Sequence, residues 1–160
     1  MRAKEFLAGV AVGAALVGAL ATMSAVGAGQ DACRDAQEAK NKAIAIEFYD
    51  RALNQLNWEK AQEMIGNRYV QHNPNAISGP EGLKNHIAML KEKFPKNRGE
   101  VKHAYADGDL VALHVHSKRS PELRGSAVVD MFRIENGKVV EHWDVVQAIP
   151  EKALNDNTMF

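Results

Sequence analysis

The sequence predicts an α+β domain, in which helices come first and antiparallel strands follow. Apolar residues recur at helical spacing before Pro95 and alternate with polar residues beyond it. Helices and strands that are segregated along a chain in this way are typical of α+β domains rather than of parallel α/β domains. The length of 160 residues suits one such domain with short extensions.

Three helices are predicted in the first half of the chain. The first covers residues 39–54, and the second covers residues 58–65 with Asn57 as its N-cap. The third ends at Phe94, because a proline follows and disfavours helical backbone in the residue before it. Between the second and third helices we predict an irregular segment at residues 69–75.

Four strands are predicted after the helices, at residues 101–106, 110–117, 126–135 and 138–148. Short polar segments separate them, as expected for a meander of neighbouring antiparallel strands. Alternation in the second strand places His114 and His116 on one face and its larger aliphatic residues on the other.

The charge balance narrows the classes of partner. The chain has 20 Lys and Arg residues and 20 Asp and Glu residues, a formal net charge of zero. This balance excludes a strongly basic nucleic-acid binder and a highly charged disordered chain. A single cysteine, Cys33, excludes an intramolecular disulfide and a cysteine-based zinc site. We therefore expect a small, uncharged or weakly charged ligand and no nucleic-acid partner.

The first residues have the composition of a secretory signal. Arg2 and Lys4 precede an uncharged run from Phe6 to Gln30, which is mostly Ala, Gly, Val and Leu. Small residues near Ala28 suit a signal peptidase, so we predict a signal peptide over residues 1–28. The protein would then be periplasmic or secreted and free of the membrane. If uncleaved, the run would anchor it, since it exceeds the roughly 18 residues that span a bilayer.

The remaining chain divides into three parts. Residues 29–38 are predicted to be a flexible arm that contains Cys33, and residues 39–150 form the folded domain. Residues 151–160 form a C-terminal tail. About 130 residues are enough to build a single hydrophobic core.

The closing hairpin carries the strongest chemical signal, and its turn admits two registers. A two-residue turn leaves Asp130 opposite Trp143, on the other face from His142 and Asp144. A three-residue loop puts Asp130 opposite His142 and places Phe132 on the same face. We favour the three-residue loop, because it gathers the three ionisable side chains on one otherwise apolar face.

Carboxylates on an apolar face need a partner or a purpose, because burying an unpaired charge is costly. Desolvation raises the pKa of a carboxyl group toward the range that is useful for proton transfer. Asp130 and Asp144 both fit this description, and His142 would hold Asp144 in place or hydrogen-bond a substrate oxygen. The alternative is that Asp130 and His142 form a buried pair of structural value, and the pattern leaves both open.

The residues from Asp130 to Asp144 resemble the closing hairpin of the SnoaL-like polyketide cyclase family, which belongs to the nuclear-transport-factor-2-like superfamily. The segment from Tyr69 to Pro74, followed by Gly-Pro-Glu-Gly at residues 79–82, is similar to the family's loop between its second and third helices. The resemblance covers residues 40–150. It implies a cone-shaped, cystatin-like α+β fold, with N-terminal helices packed on a curved antiparallel sheet.

The resemblance also implies an acid/base enzyme without a metal or organic cofactor. Asp144 matches the family's general acid/base in an intramolecular aldol closure, and His142 lies two residues before it. The best-known cyclase has a histidine at the position of Asp130, so this side chain must be protonated to donate a hydrogen bond here. Asn73 matches an asparagine that precedes proline in the family's loop.

Further ligand-binding residues are predicted from the loop and the strands: Tyr69, His72, Asn73, His114 and Phe132. Tyr69 would donate a hydroxyl to the pocket or anchor the loop. A separate hypothesis is a metal site at His114 and His116, completed by His142 if the strands align them. The alternative is that one of this pair lines the pocket and the other meets solvent.

Two functions from different classes follow. The first is an exported SnoaL-like acid/base enzyme of the aldol, cyclase, isomerase or lyase type, acting on a small apolar carbonyl compound. The second is an exported protein of the same fold that binds such a ligand without turnover. For either function we expect a homodimer formed through the outer sheet face, where Val129, Met131 and Trp143 lie.

Overall fold

A computed structural model describes residues 13–160, with side chains from Gln30 onward. The chain divides into two compact units, one up to Ala36 and one from Gln37 to Phe160. Helix α1 (Gly13–Tyr49) contributes to both. Residues 1–12 of the predicted signal peptide lie outside the described residues. No helix in residues 13–160 has the length and hydropathy needed to cross a membrane.

Residues 29–38, which we predicted to be a flexible arm, are helical in the structure. They form the part of α1 that leads into the folded domain. Glu38, at the end of this segment, accepts a hydrogen bond from the backbone N–H of Gly108 at 3.0 Å. Ala-rich sequence with long charged and amide side chains favours helix, which the prediction of a flexible arm did not weigh.

The helices otherwise follow the predicted pattern. α1 continues into a π-helical turn (Asp50–Asn54), and α2 (Trp58–Gln62) and α3 (Pro80–Lys93) follow. Asn57 caps α2 as predicted, because its side chain accepts a hydrogen bond from the N–H of Lys60 at 2.9 Å. α2 is shorter than predicted, since Ile65 already belongs to a strand.

Five strands form one mixed sheet in the order β1-β5-β4-β3-β2. Their bounds are β1 (Ile65–Gln71), β2 (Arg98–Asp107), β3 (Leu110–Lys118), β4 (Ser126–Glu135) and β5 (Lys138–Ala148). Strands β2 to β5 make the predicted antiparallel meander. β1 pairs in parallel with β5, so the expectations of a purely antiparallel sheet and of an irregular segment from residue 69 are wrong. The register of β1 is itself irregular between Ile65 and Val70, which removes the alternation that would have revealed a strand.

The closing hairpin has a two-residue turn, so the three-residue loop that we favoured is wrong. Asn136 and Gly137 have φ values of 51° and 74°, the left-handed backbone that a type I′ turn requires. Glu135 pairs with Lys138 across this turn.

A β-bulge then corrects the register. Pairing passes from Ile134 with Val139 to Arg133 with Glu141, which leaves Val140 as the extra residue. Beyond the bulge, Phe132 lies opposite His142 and Asp130 lies opposite Asp144. The predicted grouping on one face is therefore present, although each partner differs from the prediction by two residues.

The hydrophobic core lies between the helices and one face of the sheet, which we call the inner face. The inner face carries Val111, Leu113, Val115, Val128 and Phe132, all buried. Phe132 meets Phe48 of α1 edge-on, with ring centroids 5.6 Å apart. Leu90 and Ile87 of α3 belong to the same core. The outer face carries the alternate residues of these strands: Tyr105, His114, Val129, Met131 and Trp143.

Candidate functional site

A cavity of about 600 Å³ lies between the inner face and the helices. This volume suits a small organic molecule. Its walls combine apolar side chains with a few polar groups. The apolar walls include Phe48, Leu53, Leu83, Val128 and Phe132, and the polar groups include Tyr69, Gln71, Asn73, His86, Asp130, His142 and Asp144.

The two central strands of the sheet bring Asp130, His142 and Asp144 together in the cavity wall. Asp130 and His142 are 4% and 8% exposed, and His142 Nε2 lies 3.0 Å from Asp130 Oδ1. Asp144 lies directly across from Asp130 in the neighbouring strand. Two ionised carboxylates in this position would repel each other, so a proton must be held between them and their partners.

The side chain of Gln71, on β1, fixes which ring nitrogen of His142 carries a hydrogen. Its Oε1 accepts the backbone N–H of Asn73 at 3.0 Å, which fixes the amide with its oxygen on this side. The same oxygen lies 2.9 Å from His142 Nδ1, so Nδ1 must carry a hydrogen and donate it. The contact from His142 Nε2 to Asp130 Oδ1 then needs one more proton, which either atom can hold. The pair thus shares a proton and has no net charge.

Burial of the Asp130–His142 pair favours the neutral form of the Asp130 carboxyl. Removal from water raises the pKa of Asp130, while the hydrogen bond to His142 opposes the rise and the nearby charge of Asp144 adds to it. The Asp130 carboxyl therefore takes up a proton more readily than an exposed one. Its second oxygen makes no hydrogen bond to a protein group. No buried polar side-chain atom in the described part of the chain lacks a partner, so this oxygen faces the cavity.

Asp144 is the more accessible carboxylate, and Asn73 holds it in place. The Asn73 amide nitrogen donates to both oxygens of Asp144, at 2.7 and 2.8 Å. The Asn73 side-chain oxygen in turn accepts the backbone N–H of Asn75 at 2.8 Å, which fixes the amide orientation. This arrangement sets the Asp144 carboxylate at one orientation in the cavity wall while leaving it reachable by a ligand.

Tyr69 supplies a hydroxyl donor near both carboxylates. The residue is 4% exposed, and burial, together with the charges of Asp130 and Asp144, raises its pKa well above the usual range. Its hydroxyl therefore stays protonated at neutral pH. A buried hydroxyl that keeps its proton can donate a hydrogen bond to an oxygen on which negative charge develops.

The same three side chains meet the distance requirement for a metal ion, because ligand atoms of Asp130, His142 and Asp144 lie within 4.8 Å of one another. Their hydrogen bonds favour a different use. His142 offers no free nitrogen, since Gln71 and Asp130 engage both, and an amide donor already points at Asp144. The donor set is that of a proton-sharing network.

Comparison with known families gives a match that covers the folded domain. The model of the SnoaL-like polyketide cyclase family matches residues 43–152, which include the whole sheet and all three site residues on β4 and β5. The chain belongs to the SnoaL-like polyketide cyclase family. No curated protein sequence matches the chain.

Solved structures share the fold of this SnoaL-like protein. A SnoaL-like protein of unknown function from Burkholderia thailandensis is 15% identical, covers 69% of this chain and 97% of its own, and has a TM-score of 0.59. An uncharacterised cystatin-fold protein from Novosphingobium aromaticivorans is 20% identical, with 66% and 97% covered and a TM-score of 0.58. A nuclear-transport-factor-2-like protein of unknown function from Cytophaga hutchinsonii is 15% identical, with 67% and 89% covered and a TM-score of 0.54. These likenesses confirm the predicted fold.

Three of the five predicted ligand-binding residues line the cavity of this SnoaL-like protein: Tyr69, Asn73 and Phe132. His72 does not, because it lies just after β1, between the cavity residues Gln71 and Asn73, and its side chain makes contacts outside the cavity. Its ring stacks on Trp143 at 4.5 Å, and its Nε2 lies 2.8 Å from Glu141.

His114 is also outside the cavity. It pairs with Val129 on the outer face, whereas Leu113 pairs with Asp130 on the inner face. The structure therefore puts His114 and His116 across the sheet from His142, so His142 does not complete a metal site at His114 and His116.

Two polar cavity residues were missed by sequence reasoning. Gln71 falls in the predicted irregular segment, and His86 falls in the third predicted helix but is not among the predicted site residues. His86 lines the cavity with its imidazole half-buried. Burial first, and then the positive charges of Arg119 and His142, lower its pKa, while Asp144 opposes the shift. Its spacing from Leu83, Ile87 and Leu90 was the available signal, since it lies at the edge of their apolar stripe.

Proposed function

We propose that this SnoaL-like protein is an acid/base enzyme of the aldol, isomerase or lyase type that acts on a small carbonyl compound. Asp144 is the general base and acid. The observation that carries the proposal is a cavity-facing carboxylate held at both oxygens by Asn73, beside a buried aspartate–histidine pair that shares a proton.

The proposed reaction begins with a proton transfer to Asp144. Its carboxylate removes a proton from the carbon next to the substrate carbonyl, and the electron pair moves onto the carbonyl oxygen as an enolate. The Tyr69 hydroxyl donates a hydrogen bond to that oxygen. In an isomerisation Asp144 then returns its proton to a different carbon. In an aldol closure the enolate carbon first attacks a second carbonyl carbon of the substrate, whose oxygen becomes an alkoxide, and Asp144 returns its proton to that oxygen.

The Asp130–His142 pair has a supporting role in this scheme. Because the pair carries no net charge, it adds no second negative charge beside the enolate. His142 has no free N–H for the substrate, so its contribution is to hold Asp130, and Gln71 holds His142. Neither of the two roles expected for His142, contact with a substrate oxygen or holding Asp144 in place, is part of this scheme.

Exchange of carbon-bound hydrogen tests the base directly. The probe is β-tetralone, a compact apolar ketone with acidic protons next to its carbonyl, incubated in deuterated buffer and followed by proton NMR. We expect the protein to accelerate exchange and Asp144→Asn to lower the acceleration by about 10²–10⁴-fold, the usual contribution of a positioned base. Asp107→Asn, an exposed carboxylate at the β2–β3 turn, is the matched control and should leave the rate unchanged.

The same experiment separates the two function classes. Ketone that binds but keeps all its hydrogens after long incubation favours a binding protein without turnover. Full exchange by Asp144→Asn would remove Asp144 from the mechanism.

We also propose that the protein is exported, on the basis of the basic start and the uncharged run up to Gln30. Expression of the full chain, followed by fractionation and N-terminal sequencing, tests this. We expect an extracytoplasmic product that begins close to residue 29. A cytoplasmic product that retains Met1 would contradict it.

A further inference from the structure

Arg119 places a positive charge on the rim of the cavity. It follows the end of β3, lines the cavity and remains exposed to solvent. None of the described carboxylates lies within ion-pair distance of its guanidinium, whereas Arg51, Arg68 and Arg133 each have one. A guanidinium without a carboxylate partner keeps its hydrogen-bond fork available to a ligand.

Asn97 holds this guanidinium in position. Asn97 is 4% exposed, and its amide nitrogen donates to the carbonyl of Leu53 at 2.8 Å. That bond directs the amide oxygen to Arg119, whose Nη1 donates to it at 3.0 Å. The guanidinium carbon also lies 5.7 Å from the ring centroid of Phe94. An oriented buried acceptor and an aromatic ring together limit the positions that Arg119 can take.

The cavity therefore has two differently charged regions. Leu113 of β3 pairs with Asp130, and Ser117, four residues further along β3, pairs with Ser126. Four residues of strand span about 13 Å, and Arg119 follows two residues later, just past the end of β3, so the cavity extends for about the length of a small molecule from the carboxylates toward Arg119. The charges of both regions act on His86. Its pKa is lowered, first by burial and then by the charge of Arg119, while Asp144 opposes the shift.

We propose that the substrate is a carbonyl compound that also bears a carboxylate, which Arg119 binds while the carbonyl lies at Asp144 and Tyr69. The proposal rests on the proposed function for the carbonyl group of the substrate, and it adds a carboxylate at the other end of that substrate. It narrows the expectation, drawn from the net charge of zero, of an uncharged or weakly charged ligand to one with a single carboxylate. Arg119 is then a specificity-determining residue, and Asn97 is its positioning residue.

Binding of a matched pair of probes tests the acidic end. The probes are para-acetylbenzoate and its neutral isostere para-acetylbenzamide, titrated into the protein by calorimetry. We expect the carboxylate to bind about tenfold more tightly than the amide, the lower end for a charge-assisted hydrogen bond because the rim is exposed. The preference should shrink at high salt, since exposed charges are screened.

Three arginine variants assign the preference. Arg119→Gln should remove the preference for the carboxylate probe and leave the affinity for para-acetylbenzamide unchanged. Arg119→Lys should restore part of that preference. Arg98→Gln, an exposed arginine outside the cavity, should leave it intact. Circular dichroism confirms that each variant is folded.

The outcomes separate this proposal from the catalytic one. Equal affinity for both probes in the wild-type protein overturns the acidic end, as does a preference that survives Arg119→Gln. Binding does not need turnover, so Asp144→Asn should keep the carboxylate preference. If the protein binds para-acetylbenzoate preferentially but does not accelerate hydrogen exchange, the proposed carboxylate site at Arg119 is supported and the proposed catalytic role is not.

Discussion

The histidines on the inner and outer faces of the same strands have opposite surroundings. On the inner face, His142 is 8% exposed, and protein groups engage both of its nitrogens. On the outer face, His114 is half-buried and stacks between rings, with centroids 5.7 Å from His103 and 5.2 Å from Phe160. Strand alternation, rather than residue type, decides which imidazole lies in the cavity wall.

The outer face is held by contacts that are individually weak. Glu141 accepts Arg133 Nε at 2.8 Å and lies at the same distance from His72, which stacks on Trp143. Pairs of this kind near the surface contribute little each. The homodimer that we predicted for this face stays a prediction.

The largest expected contrast between the faces comes from deleting an apolar side chain. Phe132→Ala removes a ring that is 1% exposed and should lower the free energy of unfolding by about 3–5 kcal/mol. Val129→Ala, the matched control on the outer face at 38% exposed, should cost less than about 1 kcal/mol. Urea denaturation measures both, and equal losses would mean that the two faces are not distinct.

The second contrast is between the two histidines. His142→Ala leaves Asp130 buried with no side-chain partner, and we expect a loss of about 3 kcal/mol in the free energy of unfolding. His114→Ala should change the free energy of unfolding by less than about 0.5 kcal/mol, because removing this side chain leaves no buried polar group without a partner. A cost for His114→Ala as large as that for His142→Ala would contradict the comparison.

A smaller effect is expected at Glu141 on the outer face. Hydrogen bonds from Arg133 and His72 lower the pKa of Glu141, so its contribution is present above its ordinary pKa of about 4.3 and is lost as pH falls further. Glu141→Gln should lower the free energy of unfolding at neutral pH by about 0.5–1 kcal/mol and remove this acid dependence. Denaturation at neutral pH and at low pH tests both, and the idea fails if the variant keeps the wild-type acid dependence.

The smallest effect is a change of slope at His86. Burial lowers its pKa, so the unfolded chain binds a proton more readily below pH about 6.5. Stability therefore falls as pH drops through that range, and His86→Gln should flatten the fall. Asn85→Gln, an exposed neighbour on α3, should leave the slope as it is. The slope is read from denaturation curves at several pH values, and an unchanged slope in His86→Gln would place His86 in water.

The strands that have one buried and one exposed face were predictable from the sequence, and β4 and β5 have the predicted bounds. β1 was not, because it lies at the edge of the sheet, pairs with one neighbour and has an irregular register. The grouping of Asp130 with His142 and Asp144 followed from alternation within each strand. Their pairing did not, since it depends on a bulge that the pattern does not mark.

His86 and Arg119 were beyond the reach of the same reasoning for a different reason. A helix pattern gives the face that is apolar, but the rotation of α3 over the sheet decides whether a residue at the edge of that face enters the cavity. Arg119 follows a strand in a polar loop, where neither alternation nor helical spacing gives its direction.

The bulge at Val140 also bears on how the length of this chain can change. A residue inserted into or deleted from a regular strand inverts every side chain beyond it, and most such changes would turn Asp144 out of the cavity. At Val140 the extra residue is already accommodated outside the ladder, so its loss leaves Glu141 opposite Arg133 and the rest of β5 in phase. The chain thus has one position in its closing strand where it can lose a residue without exchanging its two faces.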